Sequence, residues 1–407
     1  MLLRRIKHKA LMGLASFLLK FSPGVSYLVF AGDGSARSLC RHIAHGGARR
    51  VLVVTDKPLV ELGIVETAIA GLAEYAVEAV IFDEVLPDPT YSIVAAGKAR
   101  YEQGDCDAIL AIGGGSSIDA AKVIAVALTH EGDPKDYVGF GLVKDELPPL
   151  YAVPTTSGTG SEATMGAVIS DNETHEKGII SGATMLPRAA CLDATLMTGL
   201  PPHITAATGM DALTHAVEAY IGVWDRGDCM EKAAMATRMI FEYLPRACSN
   251  GSDVSVRDAM AQAAYLAGQA INQVNVGNIH AIAHQLGAVY GIPHGLANAM
   301  VMPHVLELSK DKAGARLAEL AQLIGKNSAD EFIAAVRELS QQVGIPATSD
   351  KIRRADFALM TERALAEADG YAVPYMMSPE DVNRVLTSMN TTINSASCSD
   401  EITLSIQ

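Results

Sequence analysis

Asp211, His215, His280 and His294 are the residues whose types and spacing point most directly to chemistry. Asp211 and His215 stand four apart in Gly-Met-Asp-Ala-Leu-Thr-His, so on a helix they share one face. His280 opens a similar pair with His284, and Pro293 interrupts the chain just before His294. One carboxylate and three imidazoles can close around a divalent cation and leave a position open. A cation held that way can act as a Lewis acid on a substrate oxygen. Hard O and N donors without thiolate suit Fe²⁺, and also Zn²⁺, Mn²⁺ or Co²⁺.

A second group of residues suits a nucleotide. Asp107 to Lys122 reads as a strand, a turn Gly113-Gly114-Gly115-Ser116-Ser117 and a helix start that includes Asp119. Glycines let backbone approach a phosphate, and a helix N-terminus favours the anion. The same pattern also describes a plain strand-to-helix turn. A polar loop follows at 154–162, with Thr155, Thr156 and Thr159 among its hydroxyls. Asp56 ends an early strand, where an acid can accept bonds from an adenosine ribose and repel a 2′-phosphate, favouring NAD over NADP. Equally, Asp56 is well placed to cap a helix before Pro58.

The elements that would position these residues differ between the halves. Short β-branched runs at 27–30, 51–55, 79–82, 108–112 and 151–153 alternate with helical stretches such as 58–73 and 92–102. Later strand candidates lie at 168–170 and 189–192, with a polar turn at 171–176. That alternation predicts an α/β domain with a mostly parallel sheet. After Pro201-Pro202, Ala, Met and Leu rise and helix follows helix. The expected organisation is an N-terminal extension over 1–24, an α/β dinucleotide-binding domain over 25–198 and an all-helical metal and substrate domain over 199–407. The metal set would face the sheet domain across a cleft.

Composition sets the outer limits. With 49% hydrophobic and 19% charged residues the chain is globular, and its net charge of −14 argues against a nucleic-acid partner. The six cysteines (Cys40, Cys106, Cys191, Cys229, Cys248, Cys398) form no C-x-x-C pair, which fits reduced thiols in a cytoplasm. Leu3, Ile6, Ala10, Leu14, Phe17 and Phe21 recur at helical spacing among Arg4, Arg5, Lys7 and Lys9. This predicts an amphipathic helix whose apolar stripe packs on its own protein or a partner subunit, contact with a membrane surface being the less favoured use.

Four segments together resemble one family: 113–122, 155–162, 206–220 and 280–298. The chain resembles the iron-dependent (group III) alcohol dehydrogenases of the dehydroquinate synthase-like superfamily. The resemblance implies an α/β nucleotide domain followed by a helical metal domain, and a homodimer or higher homo-oligomer. It puts the metal on Asp211, His215, His280 and His294, and the pyrophosphate at Gly113–Ser117. Cofactor contacts would come from Thr155, Thr156, Thr159 and Lys177, with Asp56 as the NAD-versus-NADP selector. The implied reaction moves hydride between a small alcohol or aldehyde and the nicotinamide.

His284 would relay the proton between alcohol and solvent; it also suits a buried histidine bonded to backbone. The chain departs from the family at Gly166, Asn275 and Asn278, and where Tyr371 to Glu380 replaces an Asn-Pro-Arg segment. Gly166 and Ile271 suggest room for more than the smallest alcohols, and the two asparagines could offer amides to a second substrate oxygen or equally satisfy helix backbone. A lyase of the same superfamily would need basic residues beside the metal set, and these are missing. A glycerol dehydrogenase-type enzyme would use three ligands rather than four. A metal hydrolase has no use for the glycine loops.

Overall fold

The computed structural model describes residues 2–19, 26–174, 176–224 and 227–391. Phe21 and Cys398 lie outside these residues, as do the side chains of Leu3 and Phe17. In chain order the elements are α1 (Leu2–Leu19), β1 (Val29–Ala31), α2 (Ser35–His45), β2 (Arg50–Val54), α3 (Lys57–Glu61), α4 (Ile64–Glu74), β3 (Glu78–Phe82), α5 (Tyr91–Gln103), β4 (Ala108–Gly113), α6 (Gly115–Thr129), β5 (Leu150–Pro154), β6 (Gly166–Ser170), β7 (Lys177–Ser181) and β8 (Ala189–Leu192). There follow α7 (Pro202–Ile221), α8 (Cys229–Ser249), α9 (Val254–Val274), α10 (Asn278–Tyr290), α11 (His294–Leu323), α12 (Ala329–Gln342), α13 (Phe357–Ala368) and α14 (Pro379–Ser388).

The chain forms two compact units, Gly24–Thr205 with Arg246–Asn272, and Met1–Pro23 with Ala206–Pro245 and Gln273–Gln407. The first unit holds a six-stranded parallel sheet in the order β1-β8-β5-β4-β2-β3. Strand alternation feeds both of its faces. Leu52, Val54 and Ile109 pack with Ile118 and Ile124 of α6 on one side. Val51, Val53 and Leu110 pack with Leu39, Ile43 and Leu72 of α2 and α4 on the other. Burial on both faces is why these strands read as unbroken apolar runs. Strand order reverses between β2 and β4, because the chain goes outward to β3 and then returns to the far side of β2. In sheets of this kind, ligands bind at the carboxyl ends of the strands flanking such a reversal.

Three features differ from the sequence expectations. The helix expected over 58–73 is two, broken at Gly63 in the left-handed region (φ 72°). Strand β7 has no counterpart among the expected strands, and it pairs antiparallel with β6 across the 171–176 turn. A single boundary near residue 199 does not describe the partition, because most of α9 packs with the sheet unit. Ala261 and Tyr265 share a core with Ala163, Ala190 and Leu192. Gly160, at φ 61°, and Gly268 approach so closely that a Cβ on Gly160 would lie 2.6 Å from the Gly268 Cα. The buried Arg257 donates to the carbonyls of Gly251 and Leu200 and to Thr205 Oγ1.

The second unit is helical. α1 belongs to it and is a helix as expected, but a different face is docked. Arg4, His8 and Met12 point inward, whereas Ile6, Leu11 and Leu14 are 56%, 55% and 58% exposed. The inward face finds carbonyls and a carboxylate that need donors, and it outcompetes the apolar stripe for the contact. Among the described residues no helix is long and apolar enough to cross a membrane.

Candidate metal centre and nucleotide cradle

Three helices carry the candidate metal set. α7 presents Asp211 and His215 on one face, and Glu218 lies one turn further on. α10 presents His280 and His284. α10 ends at Gly291 in the left-handed region (φ 63°), Pro293 caps the next helix, and His294 and Asn298 occupy the first turns of α11. Gly295 lets α11 come this near to α7. A Cβ there would overlap the Ala207 carbonyl and sit 3.2 Å from the Asp211 Cβ.

One ligating atom from each of Asp211, His215, His280 and His294 lies within 4.8 Å of all the others. The first three are buried and His294 is partly exposed, which leaves that edge open. Glu218 sets the tautomer of His280. Its carboxylate accepts from Gly277 N (2.7 Å), Ile279 N (2.6 Å) and His280 Nδ1 (2.6 Å), so the imidazole lone pair on Nε2 faces the cluster. Burial raises the Glu218 carboxyl to about 8 against the pull of these donors. Burial and the neighbouring imidazoles hold His280 well below its ordinary value, so it stays neutral.

The donors inside the cluster do not suffice for its acceptors. Asn298 Nδ2 contacts Asp211 Oδ1 at 2.7 Å, His280 Nε2 at 3.1 Å and His294 Nε2 at 3.2 Å, yet an amide nitrogen has only two hydrogens. Asn298 Oδ1 and His215 Nδ1 are buried without partners. Converging lone pairs around one carboxylate fit a divalent cation, which would supply the missing positive charge.

His284 flanks the set, its ring stacked on His294 at 5.2 Å and 21°. Its Nδ1 lies 2.5 Å from Glu367 Oε1, which also accepts from the Tyr371 hydroxyl at 2.6 Å; Gln285 Nε2 donates to Oε2 at 3.1 Å. The sequence motifs do not single out Glu218, Asn298 or Glu367. Glu218 stands seven residues after Asp211, and Asn298 four after His294, so helical spacing is the signal that could have found these two.

Asn275 and Asn278 each make a backbone hydrogen bond, the second of the two uses expected for them, while Asn278 Oδ1 is buried without a partner. Asn275 sits in the left-handed region (φ 69°) and its Oδ1 accepts from Val276 N. Asn278 Nδ2 donates to the Tyr375 carbonyl at 2.7 Å.

In the sheet unit the two glycine-rich loops come together. Gly113 pairs with Pro154, and Thr155 N–H donates to Gly113 O at 3.0 Å. A Cβ on Gly114 would lie 3.4 Å from Thr156 Oγ1, and one on Gly115 would lie 2.7 Å from Thr159 Cγ2. Gly114 is the N-cap of α6, so its first-turn N–H groups open beside the 155–159 loop. Gly114, Gly115, Ser116, Thr156 and Thr159 are partly exposed. Ser117 and Thr155 are buried, and their hydroxyls belong to the floor of the cradle.

Asp119, expected among the cofactor contacts, is hydrogen-bonded within the protein. Its carboxylate accepts from Ser161 Oγ and from Val168 N (2.9 Å). Beside it the buried Lys122 ammonium donates to the carbonyls of Ser161, Thr164 and Gly166. Burial lowers Lys122 to about 8 and raises Glu162 to about 7. Lys177 pairs with Asp88 Oδ1 at 2.6 Å. Asp56 caps α3 by accepting from Leu59 N at 3.0 Å, as its position before Pro58 suggested. It also sits just past β2, at the strand reversal beside β4.

Comparisons with known proteins give the chain its family. Residues 28–194 match the family profile described as iron-containing alcohol dehydrogenase, and residues 205–390 match the C-terminal profile of the same family. The 1,3-propanediol dehydrogenase of Klebsiella pneumoniae is 40% identical over 349 residues, covering 83% of this chain and 90% of that protein. The NAD-dependent methanol dehydrogenase of Bacillus methanolicus is 34% identical over 365 residues, covering 87% of this chain and 96% of that protein. A crystal structure of 1,3-propanediol oxidoreductase superposes with a TM-score of 0.86 at 37% identity, covering 89% of this chain and 99% of that one. The chain belongs to the iron-containing alcohol dehydrogenases and is an alcohol dehydrogenase of that family.

Proposed function

We propose that this enzyme is NAD-dependent, holds Fe²⁺ or a similar divalent ion on Asp211, His215, His280 and His294, and interconverts small primary alcohols or diols with their aldehydes. The ligand set is the observation that carries this reading, because nothing else among the described residues gathers four such donors within 4.8 Å. A bound divalent cation would supply a Lewis acid for the substrate oxygen, and a nicotinamide nucleotide would supply the hydride acceptor or donor. The protein's own groups do the rest. Asp211 would offset part of a bound cation's charge, while neutral imidazoles would leave it acidic. Glu367 holds the His284 Nδ1 proton, so Nε2 is the basic nitrogen and takes or returns the alcohol's proton. The half-buried glycines and threonines of the cradle, with the α6 N-terminus, bind the pyrophosphate. Lys177, paired with Asp88, and Asp119, bonded to Ser161, support the surrounding loops. Cys40, Cys106, Cys191 and Cys248 are free thiols, which supports a cytoplasmic setting.

Asp56 would set the cofactor preference. A 2′-phosphate beside its carboxylate meets like charge, worth about 1–4 kcal/mol at contact distance near a surface. Asp56→Gly is therefore expected to raise the NADP-to-NAD ratio of kcat/KM roughly fivefold or more, at a cap cost of only a few tenths of a kcal/mol. An unchanged ratio would leave Asp56 as a helix cap and nothing more.

The substrate reading follows the relative named for 1,3-propanediol and the open surroundings of Gly166, where a Cβ would meet nothing nearer than 3.9 Å. Steady-state rates with ethanol through hexanol and with 1,3-propanediol, using NAD and then NADP and metal-loaded protein under reducing conditions, test it. The expected profile rises from ethanol, several-fold per carbon, since each buried methylene is worth about 0.8 kcal/mol. A maximum at methanol or ethanol would contradict the open pocket, and no NADH from any alcohol would sink the activity.

A further inference from the structure

The N-terminal helix lies outside the matched family segments, which begin at residue 28, yet it is wired to the residues beside the metal set. Arg4 meets the end of α13. Its Nε donates to Asp369 Oδ1 at 2.7 Å, Nη2 to the Leu365 carbonyl at 3.0 Å and Nη1 to the Met377 carbonyl at 3.2 Å. One turn further, the buried His8 bonds through Nε2 to the Tyr371 carbonyl at 2.8 Å. Another turn on, Met12 is buried and its carbonyl accepts from Trp224 Nε1 at 3.2 Å. Positions 4, 8 and 12 thus form one docking stripe, and its first two members grip the 365–377 segment.

That segment reaches the site. Tyr371 is 2% exposed, and its hydroxyl donates to the same Glu367 oxygen that holds His284 Nδ1. A hydrogen-bonded path therefore runs from His8 through the Tyr371 residue and Glu367 to His284, whose ring lies on His294. A carboxylate with several fixed donors has few orientations left to it, and the imidazole it holds is fixed in turn.

We propose that α1 is a strap that orients His284: by anchoring Tyr371 through Arg4 and His8, it fixes Glu367 and so points His284 Nε2 at the substrate. His8, Tyr371 and Glu367 are positioning residues in this account, which rests on the proposed role of His284 as the proton carrier. The strap binds with its polar stripe, so its loss should loosen 365–377 without removing any metal ligand.

The experiment uses the full chain, metal-loaded, with His8→Ala, His8→Gln and Tyr371→Phe. Hydrogen exchange over 369–377, metal content and steady-state kinetics are read together. His8→Ala is expected to speed exchange in that segment, and Tyr371→Phe to leave exchange nearly unchanged. Both should lower kcat roughly five- to tenfold, the scale of one or two lost hydrogen bonds, with KM for the alcohol and metal content as in the parent. His8→Gln, which can still donate to the Tyr371 carbonyl, should recover most of the rate. Parental kcat in both His8→Ala and Tyr371→Phe would overturn the proposal, as would metal loss in Tyr371→Phe or equal defects in His8→Gln and His8→Ala. A parent protein inactive on every alcohol would instead sink the functional reading, while unchanged exchange over 369–377 in His8→Ala would sink the strap by itself.

Discussion

His280→Ala and His294→Ala are expected to emerge folded but without stoichiometric metal, and with alcohol oxidation reduced to background. Each change removes one of four inward-facing donors, and even a supporting partner of a metal ligand is typically worth about 10- to 100-fold in affinity or activity. The two variants separate metal loss from folding. His280 is buried and gives Glu218 one of its three donors, so its removal should cost about 1–3 kcal/mol of stability. Gly277 N and Ile279 N still hold Glu218 in place, which keeps the α10 N-terminus intact. His294 is partly exposed, and its loss should be milder for the fold yet equally damaging to metal binding. Elemental analysis of the purified variants, set beside their thermal melting curves, decides the matter. Full metal occupancy in both would remove the assignment.

Gly295→Ala should do what a Gly→Ala change inside a helix normally does not, which is to destabilise. The usual gain is roughly 0.5–1 kcal/mol. Here the new Cβ would overlap the Ala207 carbonyl oxygen and lie 2.8 Å from its carbon, and backbone on a neighbouring helix cannot rotate aside. Overpacking of this kind costs about 1–3 kcal/mol. Relief requires α11 to draw back from α7, and that motion carries His294 Nε2 away from Asp211 Oδ1, now 3.4 Å distant. Metal affinity should therefore fall together with melting temperature. Gly314 lies on the same helix, and a Cβ added there would meet nothing within 4 Å, so Gly314→Ala should be neutral or slightly stabilising and should bind metal normally. Equal melting temperatures and equal metal affinities for the two variants would mean that α7 and α11 do not approach as closely as described.

The Asp211–His215 pair, the glycine turn and the alternation that builds the parallel sheet are legible in the chain before any packing is known, because each depends on local periodicity or backbone freedom, whereas His280 and His294 reach that pair only through the packing of α10 and α11 on α7. A helix places Asp211 beside His215 whatever surrounds it, and a strand buried on both faces must read as Val51–Val54 does. Which polar groups meet across long separations is another matter, and packing settles it. Glu218 serves His280 because Gly277 lets the two helices touch, and Asp119 meets Ser161 and Val168 because β6 passes beside α6. The same holds for α1. Its apolar stripe is plain in the sequence, but the docked face is the polar one, since Asp369 and the carbonyls of Leu365 and Tyr371 offer it acceptors. Residues 246–272 read as one more helical stretch, and they join the sheet unit because Gly160 and Gly268 permit an approach that no periodicity reveals. Local patterns specify faces, whereas pairing between faces depends on volumes and acceptors supplied by distant parts of the chain.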